Sequence, residues 1–308
     1  MFRLGHVSDI HISARVKPSP KRFLNKRLVG GTNLLLSRKK SHSNVAVIQA
    51  FEQLVEHGVD HIAVSGDLTN LALTEEFAAA KRIIEAVPDS TQKVSVVPGN
   101  HDYYTKHTQS ARTFERTFES YIQSDLPSYQ VDGAYPYCKL LSDDVALIGL
   151  NTGIATPWFI AAGQVDEREL RALGELLKDP ELEGRACVVM LHHPLLPYEH
   201  TRVQRSRRLR NEEDVLRTLR MHDVTLAIHG HNHHYGTHQL PHLRGPGVLH
   251  ICEAGSASVT RAKGPEFAGK YNIYHFDGPR LHHVETFAWD TQKADFFPWK
   301  KTFFHDPS

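Results

Sequence analysis

Histidine, aspartate and asparagine recur in this chain just after short apolar runs, at Asp9-Ile-His11, Gly66-Asp67, Asn100-His-Asp102, His192-His-Pro194 and His231-Asn-His233. Imidazole, carboxylate and amide oxygen together suit a divalent manganese, iron, cobalt or zinc ion better than calcium or a thiolate-bound metal. Alternate residues of an extended segment point the same way, so Asp9 with His11, and His231 with His233, can each send two side chains to one place. These donors are too many for one ion and predict two, with a carboxylate between them. A single histidine carries little weight in a chain with 22 of them. Position after a strand is what selects the candidates.

The elements that must hold these residues can be read from periodicity. Leu4–Val7, Ile62–Ser65, Val94–Val97, Val145–Leu150, Ala186–Leu191 and Val224–Ile228 are short apolar runs that read as buried strands. Helical patterns lie between them. Asn44–His57 puts Val47, Ile48, Phe51, Leu54 and Val55 on one face. Thr74 is a candidate cap for a helix carrying Phe77, Ala80, Ile83, Ile84 and Val87. Ser110–Ile122 and Val165–Lys178 are also expected to be helical, and Asn211 is a candidate cap for another helix. Val248–Cys252, Tyr271–Phe276 and Leu281–Phe287 read as closing strands, the last two joined as a hairpin at Asp277-Gly278. Strand–helix alternation of this kind implies layered α/β sheets, with ligands at the strand ends. The expected organisation is one domain over residues 1–290 with two sheets, followed by a C-terminal tail at 291–308.

Composition narrows the class. With 308 residues, 40% hydrophobic and 23% charged, the chain can bury a large core. A net charge of +1 gives no support for nucleic acid as a partner. Cys138, Cys187 and Cys252 follow no ligand spacing and read as reduced thiols of a cytoplasmic protein. No run is long and apolar enough to span a membrane, and the start enters a strand with no signal-peptide pattern. Two segments stand apart. Arg15–Lys40 has nine lysines and arginines and no acid, interleaved with leucines; Thr201–Arg210 holds five arginines. Both leave from candidate strand ends, so they are expected to rim the same crevice. A cationic, partly apolar rim suits a large anionic substrate with an apolar portion, or peripheral contact of residues 15–40 with the anionic inner face of a membrane.

Taken in order, the five polar strand ends resemble the motifs of the calcineurin-like metallophosphoesterases, over residue 4 to about residue 260. The resemblance implies a four-layer α/β/β/α sandwich of two mixed sheets flanked by helices, with a dinuclear metal centre at its edge. Carried over residue by residue, Asp9, His11 and His233 would hold one ion. Asn100, His192 and His231 would hold the other, and Asp67 would bridge. His192 is chosen over His193 because the family motif places the ligand two residues before the proline. Two divalent ions, manganese first with iron, zinc or cobalt as alternatives, are the implied cofactor. His101, oriented by Asp102, would assist the leaving group. Asn70 and Asn151 read as turn residues, and Ala254–Ser258 resembles the family's small-residue segment. The implied reaction is hydrolysis of a phosphodiester or pyrophosphate in a phosphate-ester or nucleotide-type substrate, by a hydroxide bridging the ions. Narrower alternatives are a cyclic-nucleotide phosphodiesterase and a UDP-2,3-diacylglucosamine-type pyrophosphohydrolase at the membrane surface. A non-catalytic scaffold of the same fold should show a broken ligand set, and here every position is filled. Charge supports phosphoryl chemistry independently: two divalent ions outweigh the two anionic ligands, Asp9 and Asp67, so the site stays positive toward a phosphate.

Overall fold

Alternation along the strands decides how the layers stack. In the computed structural model, which describes residues 1–14, 42–157, 160–196, 206–262 and 264–304, the strands form two six-stranded sheets. The first takes β1 (Phe2–Val7), β2 (His61–Ser65) and β3 (Val94–Val97), in the order β12-β11-β10-β1-β2-β3. Its remaining strands come from the end of the chain: β10 (Lys270–Asp277), β11 (Arg280–Asp290) and β12 (Asp295–Phe303). The second sheet runs β4-β5-β6-β7-β9-β8. It contains β4 (Tyr137–Leu140), β5 (Val145–Gly149), β6 (Ala186–Met190), β7 (Leu226–His229), β8 (Gly236–Pro241) and β9 (Val248–Glu253). Leu147, Val188, Met190, Leu226, Ile228 and Cys252 turn toward the first sheet and join its core. The intervening Ile148, Val189, Ala227 and Ile251 turn the other way, toward a second core. Period two therefore gives each central strand two buried faces.

Helices cover the outer faces. Residues of α1 (Asn44–Glu56) and α2 (Thr74–Glu85) pack into the first core. Short α3 (Lys106–Ser110) and α4 (Thr113–Thr117) follow β3 in the chain. Leu173 and Leu176 of α5 (Glu167–Leu176), with Val215 and Leu219 of α6 (Glu212–Met221), complete the second core. The result is two mixed sheets flanked by helices, the expected architecture. The three cysteines are buried free thiols.

Several local expectations are corrected. On α1 the buried stripe is Ala46, Val47, Ala50, Phe51 and Leu54, while Ile48 (41% exposed) and Val55 (39%) point outward. The helix is narrower on its core side than the hydrophobic residues suggest, because alanines fill the close approach. Thr74 lies inside α2, and the orphan N–H groups of Leu71 and Leu73 donate to the Glu76 carboxylate instead. Asn211 precedes α6, but its side chain pairs with both backbone groups of Val165. The expected helix over 110–122 is broken, with Arg112 in the left-handed region (φ 49°), although Phe114, Phe118 and Tyr121 are buried as the pattern required. The expected tail at 291–308 is not separate: β12 pairs antiparallel with β11 and forms the edge of the first sheet. Residues 15–40, and residues 201–205 of the 201–210 loop, lie outside the described residues.

Two histidines inside the sheets give the fold an acid sensitivity. His6 and His61 are buried, each with Nε2 2.8 Å from a serine hydroxyl, Ser65 and Ser95 respectively. Burial lowers both pKa values to about 3. The unfolded chain protonates these rings near pH 6.5, so between pH 6.5 and 3 it holds more protons than the folded chain. Their contribution is complete above 6.5 and declines as pH falls through that window. His61→Gln is expected to reduce the slope of unfolding free energy against pH, by up to about 1.4 kcal/mol per pH unit. Urea unfolding at a series of pH values checks this; an unchanged slope would contradict it.

Candidate metal centre

Parallel pairing brings the polar strand ends together. β1, β2 and β3 run parallel, as do β5, β6, β7 and β9, so their C-terminal ends open on one side. Asp9 and His11 follow β1, Asp67 follows β2, and Asn100 and His101 follow β3. His192 follows β6, and His231 and His233 follow β7. The two sheets meet at these ends, where His192 Nδ1 lies 2.8 Å from the carbonyl of Ser65.

The side chains fall into two groups joined by one carboxylate. Asp9 Oδ1 lies 3.2 Å from His233 Nε2 and 3.8 Å from His11 Nε2, and the two imidazole nitrogens are 3.1 Å apart. Donors on one tetrahedral ion with bonds near 2.1 Å sit roughly 3.4 Å apart, so this spacing suits a shared cation. In the other group His192 Nε2 is 3.2 Å from His231 Nδ1 and 3.5 Å from Asp67 Oδ1. Asp67 Oδ2 lies 3.9 Å from His11 Nε2, so one oxygen faces each group. Asp9 Oδ1 and Asn100 Oδ1 are buried with no hydrogen-bond partner. Buried polar atoms are nearly always paired, and orphans of this kind within one donor set fit a cation partner. The residues present therefore fit two divalent ions.

Backbone conformation was not readable from the motifs. Asp9 (φ 51°), His11 (φ 42°), Asp67 (φ 52°), His231 (φ 77°) and His233 (φ 60°) all lie in the left-handed region. Each costs on the order of 1–3 kcal/mol and persists only where the surroundings impose it. Here the Ser256 and Ser258 hydroxyls donate to the Asp9 carbonyl at 2.7 and 3.0 Å, and His11 N donates to the Asp67 carbonyl at 3.0 Å. The Asp9 carboxylate accepts from Ser8 Oγ and from His231 N. Gly230 makes that approach feasible, since a Cβ there would run into the Ser8 hydroxyl and the Asp9 carboxylate.

Electrostatics follow from burial and from these pairings. Burial opposes ionisation of Asp9 and Asp67, but neighbouring histidines outweigh it and hold both carboxyls well below the usual range. Burial drives His11 far below its ordinary value and His231 to about 3, leaving neutral rings with lone pairs to give. His192 is the exception: burial lowers it, but Asp67 and Asp9 raise it to about 9. A carbonyl can only accept, so His192 Nδ1 carries a proton toward Ser65. The second proton, on Nε2 beside Asp67, is the one that an ion bound there would displace to gain the lone pair.

His101 is placed beside the centre, its ring 5.0 Å from His11 and stacked on Tyr104. Asp102 was expected to orient it, and that expectation is corrected. His101 Nδ1 lies 2.6 Å from the Asn70 carbonyl. The Asp102 carboxylate instead accepts from Leu68 N, Thr69 N, Thr69 Oγ1 and Gly99 N, because it caps the loop after β2. Asn70 has a structural part, as expected, its side-chain amide donating to the His11 and Ile12 carbonyls. Asn151 likewise closes a turn onto Gly153 N. His193 has both ring nitrogens engaged, on Thr152 Oγ1 and the Ala161 carbonyl, and packs 4.6 Å from the His231 ring. His42 was not singled out from the sequence. Its ring lies 5.1 Å from His11 and 5.8 Å from His233, with Nδ1 2.7 Å from Ser258 Oγ. No motif surrounds it; the pairing of residues 42 and 43 with 258 and 259 brings it there.

The model of the calcineurin-like phosphoesterase family matches residues 2–235. A dimetal phosphatase from Danio rerio is similar in fold, with 15% identity, a TM-score of 0.57, and coverage of 92% of this chain and 95% of that one. A purple acid phosphatase from yellow lupin (Lupinus luteus) seeds is 11% identical with a TM-score of 0.60; 96% of this chain aligns with 52% of that one. At these identities the likeness is one of fold. No significant match is found among curated proteins.

The placement of Asp67 between the two groups leads to a distinction between variants. Asp67→Ala is expected to lose both ions together, whereas His11→Ala should lose mainly one. Elemental analysis of the purified variants checks this. About two ions per chain is the expected wild-type content, and saturation at one would contradict the two-group geometry.

Proposed function

This chain belongs to the calcineurin-like phosphoesterase family, and we propose that it hydrolyses a phosphodiester or pyrophosphate bond at the crevice between its sheets. Metal-dependent phosphoester hydrolysis follows from the family; the bond type, the ligand set and the part played by His101 are our reading. The observation that carries it is Asp67, whose two oxygens each face a separate histidine group beside His101. In this reading Asp9, His11 and His233 would hold one ion, Asn100, His192 and His231 would hold the other, and Asp67 would serve both. Manganese is our first choice, since the nitrogen and oxygen donors admit it along with iron, zinc and cobalt. The ions would supply a water of lowered pKa as nucleophile and positive charge for the phosphoryl oxygens.

The chain's own residues account for the remaining steps. Water adds to phosphorus and gives up one proton to solvent, the bond to the leaving oxygen breaks, and that oxygen takes a proton. His101 is suited to give it. The Asn70 carbonyl accepts from Nδ1–H, so a second proton on the ring resides on Nε2, the only other nitrogen. Tyr104 stacked against the ring restricts its rotation. The basic residues of 15–40 and 201–210 favour a large anionic substrate with an apolar part over a small cyclic nucleotide, on sequence grounds. Among the described residues no helix is long and apolar enough to cross a membrane, so contact with an anionic membrane would be peripheral in this reading.

Turnover on a panel of a monoester, a diester, a pyrophosphate, cyclic AMP and a UDP-sugar lipid tests the proposal. Diester or pyrophosphate should be cleaved fastest; a clear preference for the monoester would overturn the bond assignment. His101→Ala should keep its metal while kcat falls roughly 10²–10⁴-fold. The loss should shrink for a nitrophenolate leaving group, which departs without a proton. Equal losses for alkoxide and nitrophenolate would contradict proton donation.

A further inference from the structure

A separate group of metal-ligating side chains stands on the face of the first sheet. His283 and Glu285 are alternate residues of β11 and share a face, and His275 on β10 is the direct cross-strand partner of His283. The two imidazoles stack with centroids 4.0 Å apart and planes 11° from parallel. His275 Nε2 lies 3.1 Å from Glu285 Oε2, and His283 Nε2 lies 3.8 Å from Glu285 Oε1. These distances bracket the roughly 3.4 Å expected between donors on one tetrahedral zinc. One donor atom from each of the three residues lies within 4.8 Å of the others.

The second observation is an unpartnered atom. His283 is 5% exposed, and its Nε2 is buried without a hydrogen bond. Its other nitrogen, Nδ1, is 2.7 Å from Nδ1 of His282, so a single proton lies between those two rings. With that proton on His283, Nε2 keeps its lone pair on the Glu285 side. Burial, helped by Lys301, lowers the pKa values of both His275 and His283 against the raising effect of Glu285, so both rings are neutral near pH 7. Neutral rings are what a metal needs.

The surroundings set a limit on affinity. Lys301, the β12 partner of Glu285, places Nζ 3.0 Å from Oε1, and Arg3 is the β1 partner of His275. Phe303 closes the His283 side, its ring 5.4 Å away. The lysine engages Oε1 and leaves Oε2 toward His275, while both cations oppose a third positive charge.

We propose that His275, His283 and Glu285 form a mononuclear site, distinct from the centre between the sheets, for a borderline divalent cation such as zinc. Two imidazole nitrogens and one carboxylate oxygen would hold the ion and leave one position open. Bound there, it would tie the β10–β11 hairpin across its strands and stabilise the folded chain increasingly with the logarithm of free zinc above its Kd.

Equilibrium dialysis of the full chain against buffered zinc tests this. Wild type should take up one ion more than His275→Ala or Glu285→Gln, whose side chains are only partly buried. Lys301→Gln should bind that ion more tightly than wild type. Asp67→Ala provides the separation from the main centre: zinc should still raise its Tm, and should no longer do so in Asp67→Ala/His275→Ala. Equal zinc uptake by wild type and both single variants, or an equal Tm rise with and without His275, would mean that the zinc binds elsewhere and would overturn the site. Failure of the main centre would instead lower the count equally in all these proteins.

Discussion

Two carboxylates, Asp9 and Asp67, are buried in the crevice where the sheets meet, and the rest of the site is arranged around that charge. Removing a carboxylate from water costs many kcal/mol unless something positive or hydrogen-bonding replaces the solvent. The groups that offset this most strongly here are histidines, with backbone N–H groups of His101 and His231 completing the cage. A buried pair of ionised acids ringed by histidines is therefore a good receptor for cations.

That receptor could be assembled only if several chain ends converged. Parallel strands supply the convergence, because each returns its C-terminal end to the same side. The left-handed residues then turn side chains back into the crevice two to four positions past the strand end. Asn70 couples two of these loops. Its side chain holds the carbonyls that follow β1, and its own carbonyl holds the ring of His101. Displacing the β2 loop would disturb a ligand loop and the leaving-group histidine together. Asp102 secures that loop with three accepted hydrogen bonds and accepts a fourth from Gly99 N in its own loop.

Much of this was readable from sequence because strand and ligand alternate within a few residues. An apolar β-branched run followed at once by Asp, His or Asn shows both the element and the chemistry, as at Val94–Asp102. The two sheets and the flanking helices followed from the same alternation. What could not be read depends on contacts far apart in the chain. His42 reaches the site by the pairing of residues 42 and 43 with 258 and 259, and the partner of His101 is a carbonyl, which every residue carries. β12 was taken for a tail because its inward residues are spaced among lysines and a proline, as suits an edge strand. β8 has a mostly exposed, polar pattern that gives no period-two signal. The helix expected at 110–122 had the right inward residues, yet Arg112 breaks it where the chain turns.

The central claim is that Asp67 lies between two cation positions. Anomalous diffraction from crystals grown with manganese measures this directly. The account predicts two anomalous peaks, one on each side of the Asp67 carboxylate, the first against Asp9, His11 and His233 and the second against Asn100, His192 and His231. A single peak at full occupancy, or two peaks neither of which touches Asp67, would contradict it.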